Sequence, residues 1–345
     1  MTKLKLKNRI APGVILILAV SFILYISFFN KKSVALNSET FFSMDTVMTL
    51  SGYCDKSILA NAKALVTHLD SLLSVTNPES DIYILNTEKT VTARTETFDL
   101  ISDAVTLCER TRGATDISVY PLVRAWGFTT GDYNVPADNE ISEFLASVDY
   151  KKISLNADTR EITIPEGMML DLGSVAKGYA SDRIVDLLKE NSVESALINL
   201  GGNVYALGKK PDGTLWNVGI ADPLNSENTI GYVSISSKAV ITSGGYERYF
   251  EKDGKTYIHI IDPSTGFPVS NDLVSVTIVG DTGVVCDAFS TALFVMGSDR
   301  AIEFWRSSDD FEAILIKNDG KILVTEGLNE NFTLQKDAEV QIIYR

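Results

Sequence analysis

Two stretches of this chain carry residue types able to hold a phosphate and a hard metal ion. The first is Asp171-Leu-Gly173-Ser174-Val-Ala-Lys177-Gly178, an acid and a tight bend running into helical spacing. A carboxylate, a hydroxyl, a lysine and the open N–H groups of a helix start can together bind a phosphate and its cation. In the second, Val284 to Met296, Asp287 and Thr291 stand four apart and so share one helix face. A carboxylate beside a hydroxyl suits magnesium, which takes a few protein oxygens and completes its octahedron with waters and substrate phosphates. An acid inside the apolar run VVCDAFSTALFV also needs a cation or donors. Each feature has a plainer reading: Ser174 or Asp171 as a helix cap, Thr291 bonded back to its own helix, Asp287 solvated. His259, one of two histidines, precedes the turn Asp262-Pro263-Ser-Thr-Gly266 and is a candidate base or ligand orienter, or a structural strand histidine. Gly173 to Gly178 lacks the GxxxxGK[ST] order, and no GxGxxG follows a strand, which removes two familiar nucleotide loops.

Positioning these groups takes both helices and strands. Val175, Tyr179, Ile184, Leu187 and Leu188 recur at helical intervals, and the apolar run Ser195 to Leu200 then predicts a buried strand ending at Gly201-Gly202. Upstream, Phe41 to Leu50 reads as one strand, Asp55 to Leu73 as a helix with Ile58, Ala62, Leu65, Val66, Leu69 and Leu72 on one face, and 74–80 as a turn cluster. A second helix runs from about Glu96 to Arg112. Trp126-Gly127-Phe128 reads as a ligand-lining loop or a packed aromatic corner, and 129–150 as a polar excursion with one short helix. Lys152–Leu155 and Glu161–Ile164 form a predicted hairpin. Beyond Gly208 come strands at 216–220, 231–235, 239–242, 257–261 and 273–279, a helix at 284–296, then one more helix and three or four short strands.

Composition narrows the class. With 345 residues, 45% of them hydrophobic and 22% charged, the chain has room for one large globular domain or two modest ones. The net charge of −14 argues against a nucleic-acid surface. Residues 1–35 carry Lys3, Lys5, Lys7, Arg9, Lys31 and Lys32 and no acid, so the acidic body lies behind a basic lead. Val14 to Phe29 is almost wholly apolar, which predicts a membrane anchor over 1–35, with a cleaved signal segment as the alternative. The basic residues ahead of it place the N-terminus inside and the body, 36–345, on the extracytoplasmic side of the cell membrane. Cys54, Cys108 and Cys286 have no metal spacing and form no disulfide framework.

Seven segments occur in order: MDT at 44–46, TDISVYPLVRAWGF at 115–128, DLGSVAKGYASD at 171–182, NLGGN at 199–203, TSGGYERYF at 242–250, HIIDPSTG at 259–266 and CDAFSTALFVMG at 286–297. Together they resemble the FAD:protein FMN transferases, the ApbE family, over roughly residues 40–325. The resemblance implies a mixed α/β (α+β) fold, one catalytic domain of mixed sheets and packed helices behind the N-terminal membrane segment. It implies FAD as substrate and Mg2+ as cofactor. Met44, Thr76, Ala114, Thr115, Asp116, Asp171, Lys177 and Ile261 are then the expected FAD contacts, and Ser174, Asp287 and Thr291 the expected magnesium ligands. His259 matches a residue tied to transfer, with His259 or Asp262 as proton acceptor. The implied partner is an acceptor flavoprotein on the extracytoplasmic side. The chain departs from the family pattern at Thr115, where an aromatic is common, and at Tyr120, where glycine is common.

Overall fold

The computed structural model describes residues 35–345. The expected membrane segment at 14–29 lies outside them, and among the described residues no helix is long and apolar enough to cross a membrane.

The described chain opens with β1 (Asn37–Ser43) and β2 (Thr46–Gly52), where one strand is expected from the sequence. The break comes at Met44 and Asp45, whose left-handed backbone (φ +48° and +58°) makes a two-residue hairpin turn. α1 (Lys56–Leu73) buries Leu59, Ala62, Val66, Leu69, Leu72 and Leu73. Burying each leucine contributes about 1.5–3 kcal/mol. α2 (Asp81–Glu88) and β3 (Thr90–Thr92) have no counterpart in the sequence reading. The helix is short, and its start is set by Ser80, whose Oγ accepts the Tyr83 N–H at 2.9 Å. α3 (Thr95–Arg110), α4 (Tyr120–Ala125), α5 (Asp138–Leu145) and the hairpin of β4 (Ser154–Asn156) and β5 (Glu161–Thr163) lead to α6 (Ala176–Glu190).

The second half is rich in strands. β6 (Ala196–Leu200) and β7 (Asn203–Leu207) pair across the predicted glycine turn; the sequence reading has no strand at β7. β8 (Trp216–Asp222), β9 (Asn225–Ile235) and β10 (Lys238–Gly244) follow, then the small hairpin of β11 (Tyr249–Lys252) and β12 (Lys255–Ile258). The strand expected over 257–261 thus stops at Ile258, and Ile261 bridges to Pro268 instead. β13 (Leu273–Gly280), α7 (Gly283–Met296), α8 (Ser298–Arg306), β14 (Phe311–Lys317), β15 (Ile322–Thr325), β16 (Phe332–Leu334) and β17 (Val340–Ile343) complete the chain.

The main sheet runs β1-β2-β6-β7-β10-β13-β14-β15-β17, antiparallel except between β15 and β17. One face packs against the helices through Met48, Leu50, Ile198, Ile241, Ile278 and the stripes of α1, α6 and α7. The other face, at β7, β10, β13, β14 and β15, is covered by the three-stranded sheet of β8, β9 and β16. Strands covered on both faces lose the alternation of a half-buried strand, as the run LVSVTIVG of β13 shows. α7 lies against β10, β13 and α6 and is buried nearly all round, which carries Asp287 into the interior. A third apolar cluster joins Leu122, Trp126, Phe128, Ile141, Phe250 and Ile261.

Candidate active site

A cleft of about 310 Å³ opens where the hairpin tip, the start of α6, the middle of α7 and the 259–263 segment converge. Every residue expected at the site lines it except Asp262. Asp262 Oδ1 accepts the N–H and Oγ–H of Ser264 at 2.8 and 2.7 Å, so this carboxylate builds the turn.

Met44 enters from the tip of the β1–β2 hairpin. Left-handed backbone is uncommon for residues other than glycine, and here Asp70 of α1 holds it. Asp70 Oδ2 accepts the Met44 N–H and the Ser43 Oγ–H, both at 2.9 Å. Two residues on, Thr46 at the start of β2 meets the β6–β7 turn. A Cβ on Gly201 would stand 2.2 Å from Thr46 Oγ1, so glycine lets this turn nest beside the hairpin. Thr76 reaches the cleft from a turn in which Ser74 Oγ accepts the Thr76 and Asn77 N–H groups, each at 3.2 Å.

The wall at 114–116 is braced by its own side chains. Asp116 Oδ1 accepts the N–H and Oγ–H of Ser118 at 2.8 and 2.6 Å, and Oδ2 accepts the Tyr150 N–H at 3.1 Å. Burial pushes the Asp116 carboxyl above the usual range against those donors. Thr115 Oγ1 donates to the Ala288 carbonyl at 3.0 Å, tying the loop to α7. Tyr120 is packed in the interior at the start of α4. Trp126 and Phe128 divide the two readings of their segment. Trp126 is core, its Nε1–H donating to the Gly266 carbonyl at 2.9 Å, whereas Phe128 lines the cleft. Asp171 donates its N–H to the Ile117 carbonyl at 2.8 Å and accepts the Gly173 N–H on Oδ1 at 2.7 Å. Desolvation pushes its carboxyl up, opposed by that N–H and by the Arg248 and Lys177 charges.

The oxygen donors stand on α6 and α7. α6 begins at Ala176 without a side-chain cap, so Ser174 does not serve as one. Asp287, 4% exposed, accepts the Gly178 N–H on Oδ2 at 2.8 Å. Thr291 Oγ1 lies 3.3 Å from Ser243 Oγ, which pairs with Ser290 Oγ at 2.8 Å. Ser174, Asp287 and Thr291 thus offer one carboxylate and two hydroxyls in one cleft, and among the described residues no cluster of three His, Cys, Asp or Glu accompanies them. That donor set fits a hard divalent ion that keeps waters and phosphate oxygens, as magnesium does.

His259 borders the same space. Its Nδ1 lies 3.1 Å from the Arg248 carbonyl, which can only accept; Nδ1 therefore carries the proton and Nε2 the lone pair. Desolvation first, then the Arg248 and Lys177 charges, push the imidazole down to about 4. Asp70, Asn203, Ser243, Glu247 and Arg248 also line the cleft and are not among the site residues expected from the sequence. Asn203 is buried, and among the described residues Nδ2 has no partner. The NLGGN and TSGGYERYF segments are the available signal for four of these, all but Asp70.

Comparison with known proteins gives the site its context. The ApbE family profile matches residues 44–315. A Klebsiella pneumoniae FAD:protein FMN transferase is 33% identical over 294 residues, 84% of this chain and 91% of the relative. The Treponema pallidum protein of the same name is 33% identical over 283 residues, covering 76% and 78%. The crystal structure of the Thermotoga maritima ApbE protein superposes with a TM-score of 0.81 at 30% identity, covering 86% of this chain and 99% of that one. The cleft described above therefore sits in a known scaffold, and the chain belongs to the ApbE family.

Proposed function

We propose that this protein transfers FMN from FAD to a threonine or serine hydroxyl of an acceptor flavoprotein, releasing AMP. One observation carries the reading: the oxygen donors of Ser174, Asp287 and Thr291, the cation Lys177 and a neutral His259 all border one cleft. The names of the relatives point the same way. The acceptor oxygen forms a bond to the FMN-side phosphorus, and the bond from that phosphorus to the bridging oxygen breaks. AMP leaves with the bonding pair. Magnesium, held by Ser174, Asp287 and Thr291, would neutralise pyrophosphate charge when bound.

The chain's own groups supply the rest. Lys177 lies in the first turn of α6, where open N–H groups and the helix dipole favour phosphate. His259 takes the hydroxyl proton on Nε2. Desolvation and the Arg248 and Lys177 charges hold its pKa at about 4, and an anionic pyrophosphate beside it would raise that value. Met44, Thr76, Ala114–Asp116, Asp171 and Ile261 form the walls for FAD. The basic leader and apolar 14–29 segment support an anchored protein with its cleft, and its acceptor, on the extracytoplasmic side.

The test is product analysis with FAD and magnesium, with and without an acceptor domain. AMP release that depends on the acceptor supports transfer. AMP and free FMN at the same rate without acceptor would replace it with FAD hydrolysis.

A further inference from the structure

α6 and α7 cap each other. Asp287 of α7 accepts the Gly178 N–H from the first turn of α6, at 2.8 Å. Asp182 of α6 accepts the first two N–H groups of α7, Gly283 to Oδ1 at 2.6 Å and Val284 to Oδ2 at 2.9 Å. Each helix thus presents a carboxylate to the other's N-terminus, where open N–H groups and the helix dipole favour negative charge. Neither helix has a side-chain cap from its own flanking residues.

The two backbones meet between these caps. A Cβ on Gly178 would lie 2.3 Å from the Gly283 carbonyl oxygen and 2.7 Å from Asp287 Cβ. One on Gly283 would lie 2.1 Å from Ser181 Oγ and 2.4 Å from the Gly178 carbonyl oxygen. With no side chain at either glycine, the register of α6 against α7 is set by backbone contact and the two carboxylates.

Asp287 has one oxygen committed to Gly178, so its orientation follows the first turn of α6, which also carries Ser174 just ahead of it. Asp182 does not line the cleft; it borders a separate depression with Asp99, Asp103 and Tyr205. Resting on the metal reading of Ser174, Asp287 and Thr291, the geometry points to Asp182 as a positioning residue for that oxygen site. It acts through the α7 N-terminus to hold Asp287 at a fixed height against α6. Outer carboxylates that orient metal ligands typically change affinity about 10–100-fold when removed.

The experiment titrates magnesium chloride into the full-length protein with FAD present, followed by calorimetry, for wild type, Asp182→Ala and Asp182→Asn. Transfer rates are measured over the same magnesium range, and amide exchange of the peptide containing Gly178 is read without metal. Asp182→Ala should weaken magnesium binding about tenfold. It should leave kcat at saturating magnesium within about twofold. Asp182→Asn, which keeps one acceptor oxygen, should fall between the two and serves alone if the alanine variant does not fold. Gly178 exchange should quicken in both. Unchanged magnesium affinity, or a loss of kcat equal at every magnesium concentration, overturns the positioning role. A wild type that binds no magnesium overturns the metal reading itself, while the exchange data still show whether Asp182 couples the helices.

Discussion

Removing the Asp70 carboxylate gives a demanding prediction, because this residue is remote in sequence from the turn it holds. Oδ2 takes two hydrogen bonds, from the Met44 N–H and the Ser43 Oγ–H, each at 2.9 Å. Hydrogen bonds to a charged acceptor are worth about 1.5–3 kcal/mol each, and the two share one oxygen, so Asp70→Ala should cost about 2–4 kcal/mol. For a domain of this size that lowers Tm by roughly 4–12 °C. The unsupported turn keeps its left-handed Met44 and Asp45, at a backbone cost of about 1–2 kcal/mol per residue. Asp45→Gly removes part of that cost, so in the Asp70→Ala background it should recover about 1 kcal/mol. Function separates this from general loosening. If Met44 forms a wall of the FAD site, Asp70→Ala raises the KM for FAD about tenfold while kcat moves much less. The assay is steady-state transfer with varied FAD, paired with calorimetric melting. An unchanged KM in a variant that has lost the expected stability would refute the link from Asp70 through Met44 to FAD.

Other substitutions probe different parts of the cleft. Asp287→Ala should abolish magnesium-dependent transfer and leave Gly178 without its acceptor; normal transfer in a folded variant would remove Asp287 from the metal site. Gly201→Ala drives a Cβ into Thr46 and should destabilise by about 1–3 kcal/mol, read by denaturant unfolding. His259 gives a pH signature. Its folded pKa, about 4, lies below the ordinary 6.5, so its contribution to stability is present above pH 6.5 and is lost as pH falls toward 4. Relative to His259→Gln, the wild type should therefore lose up to about 3 kcal/mol between pH 7 and pH 4. Asp182 runs the other way: held up at about 6, it stabilises below pH 3.8 and that contribution fades as pH rises through 6, so the stability difference between wild type and Asp182→Asn should shift with the opposite slope.

The sequence made the helices legible because their apolar stripes are buried against one sheet, as in α1, where Ala62, Val66 and Leu69 have no exposed surface. The hairpin tip was not legible. Met-Asp is not a common turn pair, and the group that stabilises it, Asp70, sits 26 residues from Met44. α2 escaped because its cue is one capping serine and its apolar pattern is weak. At the site, Asp287 declared itself as an acid in an apolar helix, and Thr291 by its spacing. The partners Gly178, Ser243 and Asp182 could be assigned only once α6, α7 and β10 were packed together. Asp262 looked equivalent to His259 in a one-dimensional string, yet its carboxylate is consumed by Ser264 in the turn.

The most direct measurement is mass spectrometry of an acceptor domain after incubation with this protein and FAD, with magnesium and with magnesium chelated. A covalent FMN adduct on a threonine or serine is expected, formed only with the metal and absent with Asp287→Ala. An adduct that forms equally in chelator, or that persists in Asp287→Ala, would contradict this expectation.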